Sequence, residues 1–146
     1  MQLQQRIHNL PLDLVRYIIP FTYSPTNKHI LNDIINFHKT KQVLLNLYFD
    51  FWIIKLHDIE PEDKYWLIND IYRYYNNKIA LMHGYVDDFY NKFRRNILLH
   101  TKTKEEIDKY FNWLKTKNAN TQINILWGVL SSEERNFFVS NFAVNY

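Results

Sequence analysis

With 146 residues, 47% of them apolar and 17% aromatic, the chain can bury one full core and is too hydrophobic to remain disordered. The absence of cysteine excludes disulfides, thiolate nucleophiles and thiolate-bound metals, and a formal net charge of +3 is too small by itself to imply nucleic acid. Two glycines and four prolines leave few turn residues, which disfavours a β-sandwich or barrel.

Residues 1–9 are polar and are expected to fray as a flexible N-terminus. No apolar run there precedes a small-residue cleavage site, so no signal peptide is expected. LPLDLVRYIIP, residues 10–20, predicts a short first helix. Pro11 suits a first helical position, Asp13 favours the positive end of the dipole, and Pro20 stops the helix. Leu14, Val15, Ile18 and Ile19 form its apolar face. FTYSPTN reads as a turn, and Pro25 opens a second helix over 26–38 through Ile30, Leu31, Ile34, Ile35 and Phe37. Lys39, Thr40 and Lys41 are expected to break it.

Val43 to Leu56, VLLNLYFDFWIIKL, is the most hydrophobic stretch: eleven of its fourteen residues are apolar or aromatic. Gln42, Asn46 and Asp50 recur four apart, which places them on one narrow stripe of a helix. A helix apolar nearly all round predicts a buried central rod with other helices wrapped on it. Leu45, Leu47, Phe49, Phe51 and Ile53 also alternate as in a strand, but that would place Tyr48 and Trp52 on one face with Asn46 and Asp50. The stretch is too short to span a membrane and carries Asn46 and Asp50 in its middle.

Pro61, with Glu62 and Asp63 behind it, starts a fourth helix that runs to Tyr75 and ends at Asn76 and Asn77. Met82, Val86, Phe89, Phe93 and Ile97 space a fifth helix, and Gly84 allows its start to lie later. Thr103 with Glu106 is a capping box ahead of Ile107, Tyr110, Phe111 and Leu114. Asn120 is positioned to cap a short helix from Ile123 to Leu130, and Ser131 with Glu134 forms a second box ahead of Phe137, Phe138 and Phe142. The expectation is a single all-α domain over 10–146, a bundle of seven to eight helices around the central one.

The chemistry is less specific. None of the six histidines is four residues from another, so no metal set is expected; no serine sits in GxSxG and no Gly-rich phosphate loop is present. The chain therefore reads as non-catalytic, with no cofactor. One stretch is basic: Lys92, Arg94, Arg95, Lys102, Lys104, Lys109, Lys115 and Lys117 stand against Glu105, Glu106 and Asp108, a net +5. Interleaved with Phe93, Tyr110, Phe111 and Trp113, it makes nucleic-acid or virion association the alternative function. Phe93, Tyr110 and Phe111 share core-facing spacing and only Trp113 falls off it, so a solvated basic face competes with that reading.

Leu10-Pro11-Leu12-Asp13-Leu14-Val15, followed by Ile18 and Ile19, resembles the opening of an F-box, LPxDLxxxIL. Ile30 to Ile34 is similar to its second helix, and Phe37 to Leu44 to its third segment, so the resemblance covers residues 10–45. It implies a protein-interaction module in which Leu10, Pro11, Leu14, Ile18 and Ile19 bind a partner, an adaptor of the Skp1 type that links cargo to a ubiquitin ligase. The longer string from Leu10 to Phe37 and the ending LWGVLSSEERNFF look like small proteins of giant DNA viruses. That resemblance implies the host cytoplasm or the virion as location, and the richness in Asn, Ile, Lys, Tyr and Phe agrees with an AT-rich genome.

Overall fold

The computed structural model describes residues 27–141, and every regular element among them is helical. The chain divides into two compact units, residues 1–32 and 33–146. The described part of the first opens helix α1 (Lys28–Tyr48), where the Asn27 side chain accepts the His29 N–H at 2.9 Å and its carbonyl accepts the Leu31 N–H at 3.0 Å. A π-helical segment, Phe49–Lys55, continues α1. Then come α2 (Glu62–Tyr75), a 3-10 turn (Leu81–His83), α3 (Asp87–Phe93), α4 (Lys104–Lys115), α5 (Ala119–Val129) and α6 (Ser132–Asn141). The described residues thus hold six α-helices in an all-α fold. The expected tail 1–9, the helix 10–20 and Phe142 lie outside them.

Two expectations about α1 are corrected. The break at Lys39–Lys41 does not occur. The Thr40 hydroxyl is buried and donates to the Asn36 carbonyl at 2.7 Å, one turn back, so the helix carries it without interruption. Nor does Val43–Leu56 form a sheathed rod. Residues 45–53 are helical and not extended, but only Leu44 and Tyr48 of the stretch are buried. Val43, Leu47, Ile54 and Leu56 are exposed. The helix packs along one side only, through Thr40, Leu44 and Tyr48 at four-residue intervals. Past Tyr48 the pairing widens, with the Leu56 N–H on the Phe51 carbonyl at 3.1 Å, so the stripe leaves its α-helical register.

The central position belongs to α2. Leu67, Ile71 and Tyr75 lie four apart and are fully buried, with Ile68 and Tyr72 beside them. This helix packs against α5, the π segment and α3. Burial of each such side chain is worth about 1.5–3 kcal/mol before entropy is subtracted. Around it the aromatics meet edge to face: Tyr72 on Phe111 at 4.9 Å and 90°, Phe89 on Phe111 at 5.4 Å and 89°. Burial pushes the Tyr75 phenol well above its ordinary value, so it stays a neutral donor to the Leu126 carbonyl at 2.6 Å.

Loop residues then fix the turns. Buried Asn76 ends α2 and donates to the carbonyls of Ile79 (3.1 Å) and Gly84 (2.9 Å) while accepting the Val86 N–H at 2.8 Å. Gly84 has φ +93°, a left-handed value suited to glycine, and α3 starts only after it. The expected fifth helix therefore shrinks to Asp87–Phe93, leaving Met82 and Ile97 in exposed turns. Both capping boxes form: Thr103 with Glu106, and Ser131 with Glu134 at 3.0 and 3.2 Å. Asn118, rather than Asn120, caps α5 by accepting the Thr121 N–H at 2.8 Å, because α5 begins four residues earlier than its apolar run suggests.

Candidate functional site

Leu10, Pro11, Leu14, Ile18 and Ile19, the expected partner-binding residues, lie outside the described residues. The basic segment lies within them, and its charges are largely answered from within the chain. Lys104 Nζ meets Asp87 at 2.6 Å, and its ammonium holds that exposed carboxyl below its usual value. Lys102, just ahead of the α4 cap, pairs at 2.9 Å with Glu106 in the first turn of that helix. The Lys115 ammonium stands over the Phe111 ring at 4.0 Å, and that of Lys117 over Trp113 at 4.6 Å. Phe93 and Phe111 are buried, whereas Trp113 is half-exposed. Arg94 alone among these cations is bonded to neutral oxygens in the described residues, Asn91 Oδ1 at 3.1 Å and the Lys102 carbonyl at 3.2 Å. A phosphate backbone would thus meet fewer unanswered cations than the net charge of the segment implies.

Glu134, from the first turn of α6, is the hub of this cluster. It accepts from Lys92 Nζ at 3.0 Å, from Arg95 Nη1, and from the Ser131 N–H at 3.0 Å. Partial burial pushes its carboxyl up, but the Arg95 guanidinium, the Ser131 N–H and the Lys92 ammonium outweigh that and hold it at about 2, from an ordinary 4.5. A carboxyl depressed in the folded state adds stability above its unfolded value, and the gain is lost as pH falls from there toward the folded value. Discounted for solvent screening, Glu134→Gln is expected to cost about 2 kcal/mol at pH 7 and to cost much less at pH 3, by urea unfolding. An equal loss at both pH values would show that the ion pairs contribute nothing. Nothing local to the segment reveals this partner: Glu134 is legible as a cap, but Lys92 and Arg95 lie 42 and 39 residues before it.

A second surface was not anticipated. The outer face of α2 carries Trp66, Asn69, Asp70 and Arg73, spaced as one helical face, and Leu81 and Met82 of the 3-10 turn stand opposite. Together they border an open groove of about 420 Å³. Trp66 stacks on Trp52 at 4.2 Å with the rings 3° from parallel, and Asp70 Oδ2 accepts from the Tyr48 hydroxyl at 2.6 Å. The spacing places Met82 on an apolar helix face, and only the fold turns it toward solvent.

Among the described residues no three histidines or carboxylates come together as a metal would need, and no helix is long and apolar enough to cross a membrane. No family model, curated protein or solved structure matches this chain.

Proposed function

We propose that the chain is a non-catalytic protein-interaction module, an F-box-like adaptor of a giant DNA virus that contacts a partner of the Skp1 type through its N-terminal third. One observation supports the reading. Helix α1 carries the second and third segments of the F-box-like pattern and leaves Ile34, Ile35 and Val43 between 43 and 47% exposed. Large aliphatics held in solvent on one helix suit a partner surface. Nucleic-acid association ranks second, because Lys92, Arg95, Lys102 and Lys104 already face carboxylates of their own chain.

The test is capture of a purified Skp1-type adaptor by the full chain. Capture is expected, with loss of at least about tenfold in affinity for Ile35→Asp, whose exposed site leaves helicity intact. Leu14→Asp is expected to weaken capture as well, since Leu14 belongs to the F-box-like motif on which the reading rests. Failure of the unaltered chain to bind, or undiminished binding by Ile35→Asp, refutes the proposal.

A further inference from the structure

The turn between α3 and α4, Arg94 to Lys102, reads RRNILLHTK: three cations and a histidine around three consecutive aliphatics, with no carboxylate. The fold separates those aliphatics. Leu99 is buried and roots the turn in the core, whereas Ile97 is 88% exposed and Leu98 73%. The tip is held in shape by its own hydrogen bonds. The Asn96 N–H reaches the Phe93 carbonyl at 3.0 Å, the Leu98 N–H the Asn96 side chain at 3.0 Å, and the Leu99 N–H the Asn96 carbonyl at 2.9 Å. At its base Arg94 Nε donates to the Lys102 carbonyl at 3.2 Å, tying the two ends together. The backbone therefore displays Ile97 and Leu98 outward instead of letting them fold back.

The surroundings of this tip carry a sign. Arg94 is hydrogen-bonded to neutral oxygens, Asn91 Oδ1 and the Lys102 carbonyl, with the Asp87 carboxylate within its electrostatic reach, and His100 of the same turn is exposed. Lys102 also stands here, although Glu106 shares its charge. The aliphatics sit at the crest and the cations at the base, the order in which a lipid monolayer presents apolar chains and phosphates. A convex pair of aliphatics needs no pocket to enter such a layer, whereas a protein partner would have to supply one.

We propose that the Arg94–Lys102 turn docks on an anionic lipid surface, with Ile97 and Leu98 entering the interfacial layer and Arg94 at the phosphates. This is attachment to a surface and not insertion across it. It is independent of the adaptor reading, which uses α1.

The experiment is co-sedimentation of the full chain with vesicles of phosphatidylcholine alone or with about one-third phosphatidylserine. Binding to the anionic vesicles is expected, falling as salt rises. The double variant Ile97→Ser with Leu98→Ser should partition at least about tenfold less, with unchanged helicity because both sites are exposed. No binding to anionic vesicles, or equal binding by the double variant, overturns the proposal. So does finding that the double variant loses adaptor capture while keeping its vesicle binding, which would make the tip a protein contact.

Discussion

Trp127→Ala should remove about 3–5 kcal/mol of stability. Trp127 is fully buried on α5 and edges onto Phe138 of α6 at 5.3 Å and 78°. Its indole N–H donates to the Thr40 hydroxyl at 3.0 Å, and that hydroxyl in turn donates a hydrogen bond to the Asn36 carbonyl at 2.7 Å. One side chain thus joins α1, α5 and α6. Alanine opens a cavity among all three and strands the threonine oxygen. Trp127→Phe keeps most of the ring volume and loses the hydrogen bond, so it should cost about 1–2 kcal/mol. Urea unfolding followed by far-UV circular dichroism separates the two. A loss below about 1 kcal/mol for alanine would show that the three helices are not held at this point. Against a domain stability of about 5–15 kcal/mol, the expected loss is a large share.

The second large effect concerns Arg135, only 1% exposed on α6. Its Nη2 meets Asp33 Oδ1 at the start of the second unit, Ser132 Oγ lies at 3.4 Å, and the guanidinium stands 5.7 Å from the centre of the Phe37 ring. Asp33 also accepts from the Ser132 hydroxyl at 2.7 Å. Removing the carboxylate leaves a buried cation with no opposite charge, whereas removing the arginine leaves a carboxylate that water can reach. Asp33→Ala is therefore expected to cost about 3 kcal/mol, and Arg135→Met distinctly less. A double-mutant cycle checks the asymmetry. Equal costs for the two single variants would mean that desolvation of Arg135 is not what the pair offsets.

The proposed surfaces differ in how far they could be read without coordinates. The F-box-like pattern is wholly a matter of sequence, and the residues proposed to bind a partner lie outside the described part of the chain. The basic segment was visible as charge, but its ion pairs were not. Ile97 looked like the last rung of an apolar helix face because it follows Phe93 by four. The helix ends at Phe93 instead, and that one boundary turns a core residue into the most exposed part of a turn.

What the sequence determined by itself was the helical class, the start of α2 at Pro61–Glu62, its end at Asn76, and both capping boxes. These depend on interactions within about four residues, where side-chain chemistry and helical spacing decide. Tertiary structure alone decided that α2 rather than Val43–Leu56 takes the centre, that Thr40 lies buried inside a continuous helix, and which acid Lys92, Arg95, Lys104 and Arg135 face. Those outcomes depend on partners far along the chain, 87 residues for Trp127 with Thr40 and 102 for Arg135 with Asp33. Hydrophobicity shows that a face will be covered where a partner exists; it does not say which neighbour arrives to cover it.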